Sequence, residues 1–157
     1  QKNIPGTEDC ESCSTPLAQF SLPHPNGDLL KKILTGRIAD LKPRKAVTVS
    51  ADAKISEAAR LMRGNSMGCV LVTESGAIVG IMTERDLLFG VAGLKDPEST
   101  RVRSIMHSDP VCLKIDDPVN FAFHHMTIGG YRHLPIYLED GSVGVASARD
   151  LLRYLTL

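Results

Sequence analysis

One short phrase occurs twice in this chain, 64 residues apart: Gly80-Ile-Met-Thr-Glu-Arg-Asp-Leu-Leu88 and Gly144-Val-Ala-Ser-Ala-Arg-Asp-Leu-Leu152. A repeat at a fixed offset means that one supersecondary unit has been used twice, so whatever one copy folds into, the other must fold into as well. The match runs back without a gap. At the same offset Arg37 meets Arg101, Val47 meets Val111, Asp52 meets Asp116, Ala58 meets Ala122, Met62 meets Met126 and Val79 meets Val143. Conservative pairs fill the intervals: Ile55 with Val119, Val72 with Ile136, Thr83 with Ser147.

Each copy is only about 55 residues long, too short for a comfortable core of its own, so the two halves are expected to pack on each other. The order of elements in each is β-α-β-β-α. In the first copy a short strand at Val47 to Val49 precedes a helix from Ile55 to Arg63 with apolar residues at 55, 58, 59 and 62. A buried strand (Cys69 to Val72), a turn (Glu74 to Ala77), a second strand (Ala77 to Met82) and a helix opened by Thr83 and ending near Val91 complete it. In the second copy Asp117 and Pro118 read as N-cap and first residue of the first helix, and Asp140-Gly141 as the hairpin turn. Ahead of the repeats, residues 28–36 read as a short amphipathic helix with Asp28 as N-cap and Gly36 just past its end. The chain thus divides into a turn-rich segment at 1–27, a first repeat with its leading helix and connector at 28–100, and a second repeat at 101–157. The fold class is α/β.

The 18 basic and 18 acidic residues cancel, and no basic cluster stands out, which speaks against nucleic-acid backbone binding. The longest apolar runs are strand-sized, so no membrane span is expected. Cys69 and Cys112 lie in apolar runs and read as small core residues, a usage that suits a reducing cytoplasm.

The repeated Gly-hydrophobic-x-Thr/Ser-x-x-Asp after a hydrophobic hairpin resembles a pair of CBS domains, the Bateman module, over about residues 37–157. The resemblance implies binding of adenosine-containing ligands (AMP, ADP, ATP, S-adenosylmethionine, sometimes dinucleotides) in the cleft between repeats. It also implies dimerisation into a flat disc and regulation of a partner.

A nucleotide site needs a carboxylate for the ribose diol, donors for phosphate, and close-approaching backbone. Asp86 and Asp150 suit the first task. Thr83 and Ser147, at helix starts, place a hydroxyl and free N–H groups where phosphate oxygens can be met. Gly80 and Gly144 clear space for a ligand or a bulge. Each phrase also has the spacing of a capping box, hydroxyl at N-cap and acid at N3, which any helix can use. In this family the phosphate held on one repeat's Asp is often met by basic residues opening the second strand of the other repeat. Those positions hold Arg132 and His133 in the second repeat but Gly68 and Cys69 in the first. The cleft of Asp86 is therefore expected to be the phosphate site, and that of Asp150 to lack a charged partner. His124 and His125, adjacent on a helix, point about 100° apart and read as surface and packing residues. Arg85 and Arg149 are left between solvent and phosphate.

Cys10 and Cys13 form a Cys-x-x-Cys in the turn-rich segment, half of a tetrahedral zinc site. It resembles the second half of a small zinc ribbon, but no first Cys-x-x-Cys is present and His24 is the only nearby extra ligand. As the chain stands the segment reads as a tail with free or mutually oxidised thiols. No cofactor is required by this reading, and no catalytic arrangement is visible: there is no P-loop, no HExxH and no nucleophile beside a base. The rival is a structural dimerisation module with empty clefts.

Overall fold

Alternation of apolar residues with turn residues at 75–76 and 140–141 produces two tight antiparallel hairpins, and everything else is arranged around them. The computed structural model describes residues 27–93 and 95–156; Cys10 and Cys13 lie outside them. Helix α1 spans Gly27–Thr35. Strands β1 (Arg44–Lys45) and β2 (Thr48–Ser50) lead to α2 (Ile55–Asn65), β3 (Cys69–Glu74), β4 (Ala77–Thr83) and α3 (Glu84–Ala92). The second half repeats this: β5 (His107–Ser108), β6 (Leu113–Lys114), α4 (Val119–Thr127), β7 (His133–Tyr137), β8 (Val143–Ser147) and α5 (Ala148–Thr156). The expected β-α-β-β-α order holds in both copies. Two helix starts differ from expectation. Asp28 lies in the first turn of α1, which begins one residue earlier. Pro118 rather than Asp117 caps α4, while the Asp117 carboxylate accepts a bond from the Lys114 N–H at 2.7 Å.

The eight strands form two four-stranded sheets, ordered β1-β8-β7-β6 and β2-β3-β4-β5. Each contains one intruder. β1, at the lead of the first repeat, pairs antiparallel with β8 of the second, and β5, at the lead of the second, pairs antiparallel with β4 of the first. The lead-in residues follow the same exchange. Ile38 and Leu41 are buried in the core of the second repeat with Val119, Leu134 and Ile136. Val102 is buried in the core of the first with Ile55, Val70 and Met82. A third cluster of Met67, Cys69, Leu71, Ile81 and Val145 joins the two sheets. Each half therefore completes the other's core, which answers the shortage of apolar volume in a 55-residue unit.

Arg37 and Arg101 fasten this exchange. The Arg37 guanidinium donates to the Asp116 carbonyl at 2.7 Å and Arg101 donates to the Asp52 carbonyl at 2.7 Å. Backbone bridges join Arg37 with Pro118 and Lys54 with Arg101. Both pairs of contacts are related by the 64-residue offset, so the pseudo-two-fold symmetry extends to individual bonds.

Cys69 is fully buried in β3, as expected, and burial pushes its thiol up to about 12. Cys112 does not behave as a core residue. It is half-buried outside any strand, and its thiol donates to the Pro110 carbonyl at 3.4 Å.

Candidate functional site

The two repeated phrases place the same local structure at the start of α3 and of α5. In the first, the Asp86 carboxylate oxygen Oδ2 accepts from the Thr83 N–H at 2.7 Å and from the Thr83 hydroxyl at 2.7 Å, and the Asp86 N–H donates to Thr83 Oγ1 at 3.4 Å. In the second, Asp150 Oδ2 accepts from the Ser147 N–H at 2.9 Å and from its hydroxyl at 2.6 Å, with the Asp150 N–H reaching Ser147 Oγ at 3.3 Å. Both are capping boxes. Only one carboxylate oxygen is used in this way. The other, Oδ1, is turned elsewhere: Asp86 accepts there from His107 Nε2 at 2.9 Å, and Asp150 meets Arg153 Nη1 at 3.4 Å.

Each hydroxyl–carboxylate pair stands on the wall of its own cavity. The cavity of Asp86 has a volume of about 630 Å³ and is bounded by α3, β5 and the segment 129–133, with Phe89, His107, Asp109 and Tyr131 on its surface. That of Asp150 has about 610 Å³ and is bounded by α5, the end of α2 and the residues around β1. Gly68, Glu84, Arg132 and His133 line both, forming a common wall. Among the described residues the Arg132 side chain makes no hydrogen bond or ion pair with the protein.

His133 and Gly68 explain each other. A Cβ on Gly68 would lie 3.0 Å from His133 Nε2, so the missing side chain of the first repeat admits the imidazole of the second. Burial lowers the pKa of His133, opposed by the nearby Glu84 and Asp150 carboxylates, and its buried Nδ1 has no partner among the described residues.

Gly80 and Gly144 line neither cavity. A Cβ at Gly80 would meet Met106 Sδ at 2.6 Å and the His107 carbonyl at 3.0 Å, and one at Gly144 would meet the Arg44 carbonyl at 3.1 Å. Their missing side chains admit the exchanged strands β5 and β1, so the close backbone approach expected at these glycines is that of a neighbouring strand.

The expectation that the Asp150 cleft lacks positive charge is overturned. Gly68 indeed supplies none, but Lys42, Arg44, Arg63, Arg132, Arg149 and Arg153 all line that cavity. Of these, Lys42, Arg44, Arg63 and Arg153 come from the loop before β1, from β1, from α2 and from α5, and no comparison of equivalent repeat positions reveals them. Arg85 lines the cavity of Asp86 with its guanidinium 5.5 Å from the Phe89 ring centre, a cation–π arrangement. His124 and His125 sit edge to face on α4 at 5.5 Å, away from both cavities. Among the described residues no group of three or more His, Cys, Asp or Glu side chains could hold a metal.

Two interlocked α/β repeats with a pair of adjacent clefts define a tandem-repeat module. The CBS domain family model matches residues 38–93 and 102–157, and the chain belongs to that family. An uncharacterized 17.7 kDa protein of Acidianus ambivalens is 34% identical over 121 residues, which cover 76% of this chain and 73% of that one. The CBS domain-containing protein CBSCBSPB3 of Arabidopsis thaliana is 33% identical over 110 residues, 69% of this chain but only 19% of the plant protein. Among solved structures, a CBS-domain protein from Burkholderia ambifaria superposes with TM-score 0.68 at 28% identity, covering 76% of this chain and 92% of its own. A CBS domain protein from Pyrobaculum aerophilum, complexed with AMP, gives TM-score 0.66 at 29% identity over 77% of this chain and 99% of its own.

Proposed function

We propose that this chain is a regulatory module that binds adenosine-containing nucleotides in the clefts between its repeats and passes occupancy to a partner. One observation carries the reading: each repeat sets a hydroxyl–carboxylate pair on the wall of a nucleotide-sized cavity, and the other repeat or the shared wall supplies a cation to the same cavity. Asp86 and Asp150 accept from the ribose hydroxyls through Oδ1, because Oδ2 is committed to the helix cap. Thr83 and Ser147 line the cavities beside the 5′ end of the nucleoside, and Arg132 forks onto a phosphate there. The CBS domain protein from Pyrobaculum aerophilum is complexed with AMP, which supports the ligand class. The role is binding rather than catalysis, and the compartment is the cytoplasm. No helix among the described residues is long and apolar enough to cross a membrane.

The functional unit is a homodimer. Leu88, Phe89 and Val91 on α3 and Leu152 on α5 are exposed, whereas Leu87 and Leu155 pack inward and Leu151 is buried. The outward residues form the apolar face that a second copy would cover.

A structural module without ligand is the alternative, and the internal partners of both carboxylates favour it. A thermal-shift panel of AMP, ADP, ATP, S-adenosylmethionine and cyclic dinucleotides separates the two. A ligand present at a hundred times its Kd stabilises the fold by about 2.7 kcal/mol, or roughly 5–10 °C for a chain of this size. A flat panel at millimolar ligand supports the structural alternative.

A further inference from the structure

The two cavities differ sharply in charge. Lys42, Arg44, Arg63, Arg132, Arg149 and Arg153 line the cavity of Asp150 against the carboxylates of Glu84 and Asp150, a formal excess of four positive charges. The cavity of Asp86 has Arg85 and Arg132 against Glu84, Asp86 and Asp109, an excess of one negative charge with its histidines neutral. A concave wall of one sign focuses the field into the cavity it lines, so these sums act on a ligand more strongly than the same charges on a convex surface.

The engagement of individual groups widens the difference. Arg85 is drawn over the Phe89 ring, which leaves the shared Arg132 as the guanidinium without a protein partner on the Asp86 side. On the Asp150 side Arg44, Arg63 and Arg149 have no ion-pair partner among the described residues. Guanidinium groups fork onto phosphate oxygens, and several of them around one cavity match a chain of phosphates rather than one. The Asp86 cavity offers instead the Tyr131 ring beside three carboxylates, which suits a cation and repels phosphate.

We propose that the module reads two adenosine ligands at once, sorted by charge: a nucleoside polyphosphate in the Asp150 cavity and an adenosyl ligand with an uncharged or cationic 5′ substituent in the Asp86 cavity. The inference rests on the nucleotide-binding reading above and assigns a ligand class to each cleft. A phosphate chain in the first cavity also recruits Arg132 from the common wall, which makes the second cavity more negative still.

The test is titration calorimetry on the full chain with ATP, inorganic tripolyphosphate, adenosine and S-adenosylmethionine. ATP and S-adenosylmethionine are expected to bind together, each retaining its affinity or gaining when the other is saturating. Arg44→Gln with Arg63→Gln removes exposed cations of the Asp150 cavity only and is expected to weaken ATP about tenfold or more, with S-adenosylmethionine changed less than twofold. Asp109→Asn is expected to weaken S-adenosylmethionine and leave ATP unchanged. Competition between the two ligands in the wild-type chain, or ATP affinity indifferent to the double substitution, overturns the division while nucleotide binding stands. Tripolyphosphate binding as tightly as ATP overturns the nucleoside part of the assignment. If none of the four binds, the nucleotide-binding reading itself falls.

Discussion

His107 holds the one carboxylate oxygen of Asp86 that the helix cap leaves over. Its Nε2 lies 2.9 Å from Asp86 Oδ1, with the imidazole 70% exposed and the carboxylate 11% exposed. A ribose that approaches Asp86 must displace this contact, so His107 acts as an internal competitor for the ligand. At the corresponding place in the other cleft Pro43 makes no bond to Asp150, whose Oδ1 is met instead by Arg153 of its own helix at a longer 3.4 Å. A contact to a largely exposed partner is worth about 0.2–1 kcal/mol after solvent screening. His107→Ala should therefore tighten adenosine binding at the Asp86 cavity by about 1.5- to fivefold, and lower the melting temperature of the ligand-free chain by no more than about 4 °C. The β5–β4 pairing survives, because Ile81 and His107 pair through their backbones. Calorimetry with adenosine reads the affinity, and ATP binding serves as the internal control for the other cleft. Weaker adenosine binding in the variant would refute the reasoning, since His107 would then be contacting the ligand instead of excluding it.

Gly80→Ala should cost about 1–3 kcal/mol, or roughly 2–12 °C of melting temperature, through the 2.6 Å and 3.0 Å approaches to Met106 and the His107 carbonyl, with Gly144→Ala milder. Reduced ligand affinity with an unchanged melt would return these glycines to the binding site. Burial raises the Cys69 pKa from 9.0 to about 12, so the fold favours the protonated thiol. The stability this contributes is whole below pH 9 and falls by about 1.4 kcal/mol per pH unit as pH rises toward 12. Urea midpoints of the wild type should thus drop further between neutral pH and pH 10.5 than those of Cys69→Ala, and equal drops would contradict the argument. Light scattering should give the mass of two chains, and Leu88→Glu with Phe89→Glu should give the mass of one. A wild-type mass of one chain across a wide concentration range removes the dimer.

The repeat and its apolar spacing determined the element order, the helix starts at Thr83 and Ser147, and the residues that cap them. These are local properties: a 3.6-residue period, a turn at Asp140-Gly141 and a hydroxyl three residues ahead of an acid all act over a few positions. The resemblance to the CBS family rested on them, and the two cavities formed where it implied. Only the tertiary structure decided what those local features face. Gly80 and Gly144 serve strands that arrive from the opposite half, and their pairing depends on a chain crossing that no window of sequence contains. The positive charge around Asp150 is gathered from Lys42, Arg44, Arg63 and Arg153, spread along more than a hundred positions, and equivalent repeat positions gave Gly68 and Cys69 instead. His107 was equally hidden, because it reaches Asp86 only after β5 has joined the sheet of the other repeat. Charge and exclusion inside a cleft are sums over every element that borders it, and the folded chain alone decides which elements those are.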